Sequence, residues 1–279
     1  MTVRTDKDSL RSLFLLLALW LSLFFCPAWS EDLSAVADLS AVTNSSAAQA
    51  LPSTTDLRPV FAKWGLWLRK QGRRPTCSVL TLAGAMEFAM AQKQQCSERL
   101  SVEFLNWTAN QATGRTNDGG NFTMLWKGYE TYGICKEQEL PYRARFDMSQ
   151  RPTAEVMASA KSRLALNLQP HWIKRWNVHT GLTDEQFLAI KRTLNQGWPV
   201  CCGLRWPKHE VWTNDVLQMC PPRAVFDGHS VLFVGYRDDP NLPGGGVFII
   251  RNTDPGRDGY MPYVYAKAYM NDAVWINAE

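Results

Sequence analysis

The sequence predicts an α+β fold in two parts, a helical half followed by an antiparallel sheet or barrel half, with a cleft between them. Three observations carry this. Apolar residues recur at helical spacing through residues 77–93 and 183–197, and after Gly197 they condense into short runs broken by Gly, Pro and Asp. Helices and strands are therefore segregated along the chain rather than alternating, as in α+β folds and unlike a parallel α/β sheet. The third observation is length: residues 56–279 contain no internal repeat and no second linker, so one domain holds both halves.

The chain begins with Arg4, Lys7 and Arg11, then the apolar run "LFLLLALWLSLFF", then "CPAWSED". A basic region, a hydrophobic region and a small-x-small site at Ala28 and Ser30 read as a signal peptide over 1–30, cleaved after Ser30 and taking Cys26 with it. The apolar run is slightly short for a membrane span. A secreted or periplasmic location follows, without stable membrane association after cleavage. Residues 31–55 are rich in Ser, Ala and Thr and lack aromatics, so they are a linker or short pro-segment that buries little.

Within the domain, Val79, Leu80, Leu82, Ala83, Met86 and Met90 form the buried stripe of the first helix. "LSVEFLNWTANQ" (100–111) and "NFTMLWKGYETYG" (121–133) read as shorter helices, the second ended by Gly133. "TDEQFLAIKRTLNQG" (183–197) has Thr183 at the cap and Gln186 at capping-box spacing. "PVCCGLRW", "HSVLFVGYR", "GVFIIRNT" and "YMPYVYAKAY" read as strands.

Composition narrows the chemistry. The net charge of +4 is spread out, which gives no nucleic-acid or membrane argument. There is no Gly-rich phosphate loop, no CxxC pair and no HExxH helix, so neither a metal nor an organic cofactor is expected. Attention falls instead on Cys77, at the first turn of the first helix after the loop "QGRRPT". A helix N-terminus and a nearby imidazolium both populate a thiolate. His229, in "DGHSVLFVGY", heads a strand of the second half, and Asn252, in "VFIIRNTDPG", ends the next, where a hairpin would bring the two together. The other histidines, His171, His179 and His209, read as surface or loop residues.

The order Cys77, His229, Asn252 resembles the papain-like cysteine peptidases. The likeness runs through most of 56–279: "DLR" at 56–58, Gln71 six residues before Cys77, "LSVEFL", Gly119–Gly120, "YGICKEQELPY", "GHSVLFVGY" and "IIRNTDPGRDGY" fall in the family's order. The resemblance implies a thiolate nucleophile at Cys77, an acid/base at His229, an orienting amide at Asn252 and an oxyanion donor at Gln71. It implies that Gly119 and Gly120, otherwise a plain turn, line the substrate cleft with backbone, and that the partners are peptide or protein substrates of a monomeric enzyme.

The sequence also departs from the family. Ser78 follows the cysteine where a Trp is usual, Arg74 replaces a disulfide cysteine, Asp254 stands where a Trp shelters the His–Asn bond, and the long inhibitory propeptide is absent. Two alternatives stay open on these grounds: Asp254 as the residue orienting His229, and a catalytically silent binding or scaffold protein. Of the cysteines that survive signal cleavage, Cys96 is expected to pair with Cys135, and Cys220 with Cys201 or Cys202, in an oxidising compartment. Asn44, Asn106 and Asn121 open glycosylation sequons.

Overall fold

The structure, a computed structural model, describes residues 50–279 apart from the side chain of Asp227. The expected signal peptide, Cys26, Asn44 and most of the expected linker lie outside the described residues. Order reaches a little further back than Asp56: β1 (Thr54–Asp56) pairs with the central strand, and Pro52 accepts a hydrogen bond from Tyr236. Among the described residues no helix is long and apolar enough to cross a membrane.

Four helices of the first half assemble around one of their number. α1 (Arg58–Lys63) leads by a loop into α2 (Cys77–Gln94), which packs on the sheet on one side and on α3 (Val102–Thr113) and α4 (Phe122–Tyr132) on another. Nearly every residue from Cys77 to Ala91 is buried, so the stripe expected from periodicity is only part of a helix wrapped on all sides. Its one buried carboxylate, Glu87, is fully paired: Arg69 and Arg99 each lie 2.8 Å away, and the Leu100 N–H donates to it. α3 and α4 cross so closely that a Cβ on Gly128 would lie 2.5 Å from the Ala109 nitrogen. α3 is capped by Ser101 and α4 by Asn121, whose side chains accept from Phe104 and Met124 N–H.

The second half opens with α5 (Ala154–Ser162), β2 (Leu168–Lys174) and α6 (Asp184–Asn195), whose Thr183–Gln186 capping box forms as expected. Then come β3 (Val200–Pro207), the short β4 (Trp212–Thr213) and β5 (Val216–Leu217), β6 (Val225–Asp238), β7 (Gly246–Asn252) and β8 (Arg257–Pro262). α7 (Tyr263–Tyr269) and β9 (Met270–Ala278) close the chain. The sheet order is β2-β9-β3-β6-β7-β8-β5-β4, with β1 on β6, and all pairings are antiparallel except β5 with β8.

Three expectations require correction. "YMPYVYAKAY" is not one strand: Pro262 ends β8 and opens α7, whose Tyr263, Tyr265, Ala266 and Tyr269 are buried at helical spacing. Neither expected disulfide forms, because Cys135, Cys201, Cys202 and Cys220 are free thiols. Cys201 and Cys202 are fully buried on β3, donating to the Thr81 and Val200 carbonyls, whereas Cys220 lies in the loop beyond β5. Burial pushes the thiol of Cys135 up to about 12. Asn106 is no glycan acceptor: it is 1% exposed, donates to Asp118 and accepts from the Gly119 N–H.

Candidate active site

Cys77 occupies the first turn of α2, where the backbone N–H groups have no intrahelical acceptor and the helix dipole places positive potential at the sulfur. β6 carries His229 across to it; the Cys77 Sγ also contacts the Gly228 carbonyl at 3.6 Å. Both side chains are nearly buried, at 5% and 8% exposed. Burial alone would push the thiol up. Its hydrogen bond and charge interaction with His229, and then the Ser230 and Ser78 backbone N–H groups, overcome that and hold it below its ordinary value. Burial likewise disfavours the imidazolium. The Cys77 interaction, then the Asn252 hydrogen bond and the charge of Glu210, raise His229 above its ordinary value instead. Each group thus shifts the other, the thiol down and the imidazole up.

β7 ends at Asn252, beside β6, and its Oδ1 accepts from His229 Nε2 at 2.8 Å. That contact leaves the other ring nitrogen, Nδ1, for the thiol. Asp254 does not take this place: its side chain is exposed, and it is its backbone N–H that donates to Asn252 Oδ1, at 3.1 Å.

Gln71 is held beside the Cys77 loop by three hydrogen bonds. Its N–H donates to the Thr253 carbonyl, its carbonyl accepts from the Tyr142 hydroxyl, and its Oε1 accepts from the Thr253 hydroxyl at 2.8 Å. Since Oε1 is the occupied end of the amide, Nε2 is the end left to donate. The Thr76 hydroxyl, 2.6 Å from that of Tyr142, ties the residue before Cys77 into the same chain.

The loop carrying these groups has no disulfide to fix it. Arg74 does that work with charge: 4% exposed, it pairs with Glu103 at 2.5 Å and Asp118 at 2.7 Å and donates to the Arg143 carbonyl. Asp118 precedes Gly119 and Gly120, so the same clamp sets the opposite wall of the cleft. A Cβ on Gly119, at φ +72°, would meet the Pro75 carbonyl at 2.5 Å, which requires glycine there. The cleft is open, has a volume of roughly 270 Å³ and brings Cys77, His229, Gly119 and Gly120 onto one surface. His171 lies elsewhere, stacked on Trp275, and His179 and His209 are exposed.

Sequence reasoning missed the shelter over His229. With Asp254 exposed, the indole of Trp206 covers the ring instead, centroids 4.4 Å apart, from strand β3. Glu210 fixes that indole, accepting from Trp206 Nε1 at 2.6 Å and, with its other oxygen, from Trp212 Nε1 at 2.7 Å. The only signal in the sequence is a Trp near the end of a strand; its meeting with His229 depends on a register shift at Leu204/Arg205 in the β3–β6 ladder.

No family model and no curated protein matches the sequence. Solved structures do match the fold. Xylellain, a cysteine protease from Xylella fastidiosa, superposes with a TM-score of 0.62 over 90% of this chain and 95% of its own, at 23% identity. The digestive procathepsin L 3 of Tenebrio molitor larval midgut gives 0.55 at 19% identity, covering 84% of this chain and 72% of that one. The fold is papain-like. A structure from work on the mite allergens Blo t 1 and Der p 1 agrees, at 0.53 and 22% identity over 88% of this chain and 74% of that one. A helical half built on α2 and a sheet half built on β6, meeting at Cys77 and His229, is thus the papain-like arrangement expected from the sequence.

Proposed function

We propose that this protein is an extracytoplasmic cysteine peptidase that hydrolyses peptide or protein substrates through Cys77, His229 and Asn252, with Gln71 in the oxyanion hole. The observation that carries the reading is the convergence on one cleft of Cys77 at the N-terminus of α2 and His229 on β6, with His229 Nε2 held at 2.8 Å by Asn252 at the end of β7; the thiol shifted down and the imidazole up agree with it. A silent scaffold has no use for a thiol at a helix N-terminus facing an imidazole that a third side chain holds in place.

In this reading the Cys77 thiolate attacks the peptide carbonyl, and the negative charge that forms on oxygen meets the Gln71 amide and the Cys77 backbone N–H. His229 gives its Nδ1 proton to the leaving amine as the C–N bond breaks. The neutral imidazole then takes a proton from water, which attacks the thioester and releases the acid, restoring the ion pair. Asn252 keeps the ring turned toward the sulfur without adding charge, and Gly119 and Gly120 present backbone to the peptide.

The test is a pair of pH–rate profiles. The thiolate is populated above the lowered Cys77 pKa, and the imidazolium is lost above the raised His229 pKa. Activity is therefore bell-shaped, with its acid limb below the ordinary thiol value and its alkaline limb above the ordinary histidine value. Asn252→Ala lowers turnover severely, whereas Asp254→Asn costs little and leaves the alkaline limb in place. The reverse pattern would hand the orienting role to Asp254 and refute this assignment.

A further inference from the structure

We propose that a small cavity behind the catalytic residues is a binding site for a single halide ion, chloride foremost, held by Arg251 with Arg69 and Arg99. The cavity has a volume of about 30 Å³ and lies between the loop after α1, the middle of α2 and the end of β7. It is separate from the substrate cleft and shares no lining residue with it. Among the described residues, three guanidinium groups border it against one carboxylate, Glu87. Both Glu87 oxygens are already taken, by Arg69 and Arg99 at 2.8 Å each and by the Leu100 N–H. Arg69 also reaches the Leu100 carbonyl, and Arg99 the Trp67 carbonyl.

Arg251 is the cation left over. It is 9% exposed, and its guanidinium lies 4.4 Å from the centre of the Phe61 ring. Among the described residues only its Nη1 finds an acceptor, the Leu66 carbonyl at 2.8 Å. Nε is sealed off without one: Asp258 on β8 stands 3.7 Å away, too far for a hydrogen bond and off the cavity wall. Nη2 has no acceptor either and is not sealed off, so it is the edge that borders the cavity. Burial, and then the repulsion of Arg99, hold Arg251 below the ordinary arginine value despite the charges of Asp258 and Glu87. Glu137, 3.5 Å from Arg69, is also off the wall. A water in the cavity would supply an acceptor but no charge, whereas an anion supplies both. Size selects among anions: about 30 Å³ is the share of one water in the liquid, enough for a chloride and too little for sulfate, phosphate or a carboxylate. Thr253, whose hydroxyl holds Gln71, lines the same cavity, and Asn252 lies between it and Arg251. A halide there braces the end of β7 that carries the catalytic amide.

The experiment melts the full chain in sodium chloride, sodium bromide and sodium gluconate mixed at constant ionic strength, so that only the anion changes. Chloride and bromide should raise Tm along a saturable curve that gluconate does not give. At ten times the half-saturating concentration the folded state gains about tenfold, a rise of about 3–6 °C for a domain of this size. Arg251→Met keeps an apolar stem against Phe61 and removes the cation, so it should abolish the difference between chloride and gluconate. A crystal grown in bromide should show an anomalous peak in the cavity beside Arg251, and this readout decides the matter alone if Arg251→Met does not fold. Equal melting in chloride and gluconate, a chloride effect that survives Arg251→Met, or bromide found only elsewhere on the surface as an adventitious ion only, overturns the proposal. Neither readout uses hydrolysis, so these outcomes leave the peptidase reading untouched.

Discussion

Trp206→Ala isolates the least expected part of the site. The indole is 2% exposed, its ring centre lies 4.4 Å from that of His229, and it packs at 6.4 Å against both Trp212 and Tyr265. Removing it leaves a cavity over the His229–Asn252 hydrogen bond and lets water compete for it. A hydrogen bond to a charged group contributes about 1.5–3 kcal/mol when shielded, against about 0.5–1.5 kcal/mol for an ordinary one. The loss of some 1–2 kcal/mol of orientation corresponds to a fall in kcat of roughly 5- to 30-fold. Folding stability should fall too, by about 3–5 kcal/mol, as for other large-to-small changes in a core. Trp206→Phe, which keeps a ring over the imidazole and loses only the Glu210 contact, should recover most of the turnover. The assay is steady-state hydrolysis across pH, with circular dichroism confirming folded protein at the assay temperature. KM should change little, because the indole acts through His229. Glu210→Gln supplies an independent reading: it removes a negative charge that favours the imidazolium, so the alkaline limb moves to lower pH. A folded Trp206→Ala protein with unchanged kcat, beside Glu210→Gln with an unmoved alkaline limb, would refute the shelter.

Two other expectations follow from the geometry. Gln71→Ala should lower kcat by about 10²–10³ with little change in KM, and Thr253→Val, which releases the amide that its hydroxyl holds at 2.8 Å, should reproduce a part of that loss; normal turnover in Gln71→Ala would exclude it from the oxyanion hole. Arg74→Ala strands two buried carboxylates, Glu103 and Asp118, and should cost about 3–5 kcal/mol, seen as a drop in Tm of about 10 °C in calorimetry; a shift within about 2 °C would mean the clamp does not hold the loop.

What the sequence made legible is what local pattern encodes. α6 announced itself by a capping box and a single apolar face, and α2 by an unbroken helical period starting at Cys77. The β6–β7 hairpin followed from two apolar runs joined by a Gly/Pro turn, and that was enough to bring His229 to Asn252. The unread parts depend on pairing at a distance. β9 hides because its buried positions include Asn271 and Asp272 as well as Val274 and Ile276, so no clean alternation shows. α7 was mistaken for strand because four tyrosines in ten residues favour sheet locally, while Pro262 and the packing of Tyr263 and Tyr269 impose a helix. Trp206 became part of the site only through the register of β3 with β6, which is irregular at Leu204. The cysteines were misjudged for a related reason: compartment argues for bridges, but Cys201 and Cys202 are core residues facing carbonyls rather than other thiols.

In the proposed reading one cysteine of this chain is a reactive thiolate because His229 makes it so. Treating the full chain at neutral pH with a peptidyl epoxide and mapping the adduct by mass spectrometry tests this directly. A single adduct on Cys77 is expected, its rate cut sharply by His229→Ala, while Cys135, Cys201 and Cys202, raised by burial, stay unmodified in the folded protein. An adduct on another cysteine, or a Cys77 that reacts no faster with His229 than without it, would contradict it.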